Sequence, residues 1–146
     1  MNQPYPLVEA AVVLITDRDG RYLLDFNDSW SSFTFPTTKL HDVPTMAPGV
    51  PTKPEAQPVA AARAAAEVLG RPIDPKALKP LTIEVPPYAQ SGRDGDWKRY
   101  TFRLFTLKVT GEPKPLPGHA AVWLTRSELE SLEPISPTVR TILAAM

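Results

Sequence analysis

Val8 to Thr16 is an almost unbroken apolar, largely β-branched run, Val-Glu-Ala-Ala-Val-Val-Leu-Ile-Thr. A strand with one wet face alternates apolar and polar residues. A strand apolar on both sides predicts a central position with other elements packed on each face. Helix signals supply those covers. Val59 to Leu69 is alanine-rich, with Pro58 suited to the first turn, Gly70 to the C′ position and Pro72 to stop the chain from continuing as helix. Thr125 and Glu128 form a capping box for a helix through about Leu132. Ser136 followed by Pro137 starts a last helix towards Met146. Together these predict an α/β/α sandwich around a mixed sheet. With 146 residues, one domain spanning 1–146 is expected.

The other strands follow from local signals. Asp19-Gly20 suits a tight hairpin, with Arg21 to Phe26 returning. Trp30 to Phe35 reads as a short strand ended by Pro36, and Leu81 to Val85 as another ended by Pro86-Pro87. Trp97 to Val109 is a long strand whose apolar residues change phase between Leu104 and Phe105, which predicts a β-bulge there. Ala120 to Leu124 is a further short strand. Residues 40–58 hold Pro44, Pro48, Pro51, Pro54 and Pro58, which exclude a helix interior or a central strand. The chain has 18 prolines, about twice the usual ~5% share, and they lie mainly between elements. The 40–58 segment is therefore expected as an ordered surface loop near the start of the alanine-rich helix, covering or blocking a pocket.

Sixteen Lys plus Arg balance sixteen Asp plus Glu, which argues against bulk nucleic acid or an anionic membrane as the main partner. There are no cysteines, so neither a disulfide framework nor a thiolate metal site is expected. No basic stretch precedes an apolar one at the N-terminus, and the run Ala10 to Ile15 is too short to span a bilayer. A cytoplasmic protein is the expectation.

Gly49, Glu55, Arg63, Glu67 and Gly70 fall in the register G-x5-E-x7-R-x3-E-x2-G. This pattern, Gly49 to Arg71, resembles the box of the Nudix hydrolase family. Trp30 and Pro36 resemble the tryptophan and proline that precede it. The departures are equally specific. Ala64 and Val68 stand where the family has acids, Arg71 stands in place of an aliphatic residue, and Thr37-Thr38 stand in place of paired glycines. Glu55 lies 16 positions beyond Lys39. Either about a dozen residues are inserted after Thr38, or Pro48-Gly49 takes the glycine role after an earlier insertion.

The resemblance implies hydrolysis of nucleoside diphosphates linked to another moiety, with Mg²⁺ or Mn²⁺ held by box glutamates. Pyrophosphate is highly charged, and hard cations with carboxylate ligands neutralise it and activate water. On this basis Glu55 and Glu67 are the candidate metal ligands, and Glu67 and Arg63 the candidate catalytic pair, four apart on one helix face. Lys39, Arg93 and Trp97 are candidates for binding substrate, with Tyr88, Tyr100, Lys98 and Arg99 as further aromatic and basic residues. Asp94, Asp96 or Glu112 could add a loop carboxylate. His41 and His119 have no metal-ligand spacing. Two functions are compatible with these residues: a divergent hydrolase with a degraded metal site, or a Nudix-fold nucleotide-binding or interaction module that needs no metal. The expected partner is a nucleotide-derived small molecule, with a homodimer as a further option. Missing acids at 64 and 68 predict weak divalent binding, which Ala64→Glu with Val68→Glu should strengthen if the surrounding loop is compatible, unless Val68 is buried.

Overall fold

The computed structural model describes residues 7–28, 31–83, 88–90 and 97–146. Strand β1 (Leu7–Thr16) lies at the centre of the main sheet. It pairs antiparallel with β2 (Tyr22–Asn27) and parallel, over ten residues, with β9 (Trp97–Lys108). β2 continues to β10 (Ala121–Leu124), and β9 continues to β7 (Lys79–Leu81). Three short strands extend these: β3 (Ser32–Thr34) on β2, β4 (Thr37–Lys39) on β1 and β8 (Tyr88–Gln90) on β9. The sheet is mixed, as the sequence predicts.

Its two faces are both covered, which explains the apolar run. Ala11, Val13 and Ile15 pack under helix α1 (Gln57–Leu69) with Ala60, Ala61, Ala65 and Val68. Val12 and Leu14 point the other way, against Leu129 of α2 (Arg126–Ser131) and Val139, Ile142 and Leu143 of α3 (Pro137–Ala145). Val12 and Val13 are fully buried. The α/β/α sandwich is therefore observed. Small alanines let α1 lie close on the sheet. Its start has Pro58 and no side-chain cap, so tertiary packing fixes the helix. The Thr125–Glu128 capping box forms with both reciprocal bonds, and Ser136 caps α3.

Three expectations are corrected. No β-bulge interrupts β9, which stays in continuous register with β1 from Arg99 to Lys108. Leu104 faces the α2–α3 side, while Phe105 and Leu107 face α1. The strand is apolar on both faces, and the apparent phase shift is where the two apolar faces overlap in sequence. The strand expected at Leu81 to Val85 ends at Leu81 within the described residues. Residues 40–54 are largely exposed and precede the buried Glu55 and the start of α1, but the segment is not purely loop: β5 (Asp42–Pro44) and β6 (Thr52–Pro54) form a separate antiparallel hairpin.

Candidate functional site

The β5–β6 hairpin stands between β4 and α1. Its base closes where Glu55 N–H donates to the His41 carbonyl at 2.7 Å, directly after β4. Residues 41–54 thus separate Leu40 from Glu55 in sequence but return the chain to the same place. Gly49 sits at the hairpin tip with φ +76, and nothing lies within 4 Å of where a Cβ would stand. It is a turn glycine and takes no part in the helix site. Pro36 and Thr37-Thr38 instead run along β1, beside the helix.

Arg63 does not pair with Glu67. Helical side chains lean towards the N-terminus, and Arg63 reaches back to Glu55, Nη1 to Oε1 at 2.5 Å. Its Nη2 donates to Thr38 Oγ1 at 3.1 Å and to the Lys39 carbonyl at 3.0 Å. Glu55 is 7% exposed, and the same Oε1 also accepts from the His41 amide at 2.8 Å. Burial alone would raise the Glu55 carboxyl. The Arg63 hydrogen bond, the His41 amide and the attraction of both residues' charges outweigh it and hold the carboxyl below the usual glutamate range. This cluster ties β4, the base of the hairpin and the start of α1 together.

Glu67 lies one turn further along and has a different partner. Its side chain is 39% exposed, and Oε2 is 3.4 Å from His119 Nε2. The other ring nitrogen, Nδ1, is 2.6 Å from Asp25 Oδ2. Asp25 is 3% exposed, and its Oδ1 accepts from the Ala120 amide at 2.9 Å. Sheet pairing creates this arrangement. Asp25 alternates with Leu24 on β2, so it turns to the α1 face, and β10 places Ala121 opposite it. The 109–120 connection then wraps the end of α1. Leu116 N–H donates to the Glu67 carbonyl at 2.9 Å, and Lys114 N–H donates to the Leu69 carbonyl at 3.0 Å. Sequence reading missed Asp25 and set His119 aside. The available signal was an acid within the apolar strand Tyr22-Leu23-Leu24-Asp25-Phe26, which needs a partner when buried.

The positions of the missing acids are closed. Ala64 is 3% and Val68 is 1% exposed, and Val68 lies in the apolar layer between helix and sheet. Glutamates there would enter the core rather than a pocket. Among the described residues, no group of three His, Asp or Glu side chains is placed to hold a metal ion. Among the described residues, no carboxylate cage of the kind that holds Mg²⁺ is formed. Lys39 is exposed on β4 and Glu112 on the 109–120 connection. Trp97 and Tyr100 lie on β9 and Tyr88 on β8, while Arg93, Asp94 and Asp96 fall outside the described residues. No helix among the described residues is long and apolar enough to cross a membrane.

No protein-family model and no curated sequence matches the chain. Solved structures do. A MutT protein from Methanosarcina mazei Go1 superposes with a TM-score of 0.69 at 17% identity, covering 98% of this chain and 94% of that one. An Ap4A hydrolase from C. elegans gives 0.61 at 18%, covering 94% and 96%. The C-terminal domain of mouse MUTYH, crystallised with human PCNA, gives 0.59 at 16%, covering 92% and 84%. At such identities the shared property is the architecture, and this chain has the Nudix fold.

Proposed function

We propose that the chain is a divergent Nudix-type hydrolase acting on a nucleoside diphosphate-linked small molecule, with the family's carboxylate cage reduced to Glu67. One observation carries this reading: Glu67 alone among the box carboxylates is open to solvent, and it meets His119, itself held by buried Asp25. Glu55 and Arg63 anchor the start of α1 rather than contact substrate. Lys39, exposed on the adjoining strand, together with Arg93 and Trp97, is proposed to hold phosphate and base. Neighbours named as a MutT protein and an Ap4A hydrolase support the substrate class.

A non-catalytic module is the second reading. The burial of Ala64 and Val68 favours it, and so does the MUTYH domain found bound to another protein. Hydrolysis of nucleoside diphosphate compounds by wild type and Glu67→Gln separates the two. Turnover that falls at least ~100-fold in the variant supports the hydrolase, since the loss of a group acting directly on the reaction has effects of this order. Ligand binding without turnover in either protein supports the module.

A further inference from the structure

We propose that the chain forms a two-fold symmetric dimer through the outer edge of β10, which joins the two main sheets into one continuous sheet. The dimer is independent of either reading of the function.

The backbone inventory carries the argument. β10 ends the strand order β10–β2–β1–β9–β7 and pairs only with β2 among the described residues. Phe26 N–H donates to the Ala120 carbonyl at 2.9 Å, and the ladder continues with Val122 opposite Leu24 and Leu124 opposite Tyr22. In an antiparallel pair, positions bonded to the neighbour alternate with positions that turn N–H and C=O away from it. Ala121 and Trp123 therefore turn theirs outward, and no hydrogen bond to these groups occurs among the described residues. The next outward position is already engaged: Thr125 N–H donates to Glu128 Oε1 at 2.9 Å, and its carbonyl accepts from Leu129 N–H at 3.0 Å. Sheet edges that stay single are usually blunted by charge or proline. The opposite edge, β7, carries Lys79 and Pro80, and the β5–β6 hairpin carries Pro44, Lys53 and Pro54. β10 reads Ala121-Val122-Trp123-Leu124 and has neither.

A second copy fits this edge in one register. A two-fold axis through Val122, normal to the sheet, sets Ala121 opposite Trp123 of the partner subunit and Trp123 opposite the partner's Ala121. Both are bonded positions, so every outward N–H and C=O of the strand finds a partner. Val122 meets its own symmetry mate at a non-bonded position, where β-branched side chains approach closely. Each bulky side chain then faces a small one: Trp123 against Ala121, and Leu124 against Ala120. Moving the axis to Trp123 sets indole against indole and Ala121 against the engaged Thr125, so only half of the bonds form. The four strand residues are uncharged, so no like charges meet across the axis. This self-complementary pattern of sizes and bonds selects a second copy over a foreign strand.

The test is sedimentation equilibrium of tag-free full-length protein over a concentration series, with circular dichroism to check that each variant folds. A reversible dimer is expected. Ala121→Pro removes only an outward N–H, and a sheet edge accepts proline at such a position. It should weaken the dimer at least ~10-fold, because both symmetry-related bonds from the Ala121 amides are lost and their carbonyl partners are left unpaired. Lys79→Ala, on the opposite edge, should leave association unchanged. The chain has no cysteine, so Val122→Cys places a single thiol on the axis. Under mild oxidation it should cross-link into a disulfide-bonded dimer, whereas Lys79→Cys should run as single chains on a denaturing gel. If Ala121→Pro does not fold, the cross-linking decides alone. Single chains at every concentration up to about 1 mM would overturn the proposal and leave the edge to a strand from another protein. A dimer that Ala121→Pro leaves intact, or one in which Val122→Cys fails to cross-link, would overturn it equally.

Discussion

Gly70→Ala isolates the contact that holds the His119 connection to α1. Gly70 is the αL residue at the helix end, with φ +74, and its N–H donates to the Ala66 carbonyl at 2.8 Å. A Cβ there would stand 1.8 Å from the Lys114 carbonyl oxygen and 2.7 Å from its carbon. Gly49 has nearly the same φ, +76, in open space, and serves as the control. Forcing an L-residue into αL costs about 1–2 kcal/mol. The stiffer unfolded chain returns roughly 0.4–1 kcal/mol, leaving about 1 kcal/mol at either position. At Gly70 the Lys114 segment must also move. Its two backbone hydrogen bonds to α1, from Lys114 and Leu116, are each worth about 1 kcal/mol. The expected loss is about 3 kcal/mol for Gly70→Ala against about 1 for Gly49→Ala. At ~2.1 cal/mol/K per residue over 146 residues, 1 kcal/mol shifts the midpoint by roughly 3 °C. The variants should therefore melt about 10 °C and about 3 °C below wild type. Thermal scans and urea titrations followed by circular dichroism measure both. Equal destabilisation of the two variants would refute the argument from close approach.

Other outcomes follow from the same geometry. Val68→Glu should unfold the helix–sheet layer rather than create a metal ligand. An unpaired buried charge costs at least ~3 kcal/mol, so the midpoint should drop with no gain in Mg²⁺ binding by calorimetry. Glu55→Gln leaves Arg63 without its carboxylate and should cost about 2 kcal/mol at neutral pH. The folded Glu55 carboxyl is held below its usual range, so its contribution is complete above the unfolded-chain value and is lost as pH falls through the folded value. The stability gap between wild type and variant should thus narrow in acid, which urea titrations at several pH values can read. A gap independent of pH would argue against the Arg63 pairing. Glu67→Gln should leave stability within about 0.5 kcal/mol, since its side chain is 39% exposed, while reducing any hydrolysis strongly.

Local chemistry made most of the scaffold legible in the sequence. The run at Val8–Thr16 announced a strand covered on both faces, and both faces are covered. Pro58, Gly70, Thr125 with Glu128, and Ser136 with Pro137 marked helix ends through interactions only a few residues long, and the helices begin and end there. The box register correctly named the helix that carries Glu67. What depends on contacts distant in sequence was not legible. Spacing four apart suggested an Arg63–Glu67 pair, but the 41–54 segment folds back as a hairpin and delivers Glu55 to Arg63 instead. The same hairpin carries Gly49 away from the helix although it falls in the box spacing. Asp25 and His119 lie 94 residues apart and meet only because β10 pairs with β2. Periodicity and capping record what each segment does with its neighbours along the chain. Which carboxylate is buried against an arginine, and which is left facing an imidazole, depends on how the sheet brings remote segments together.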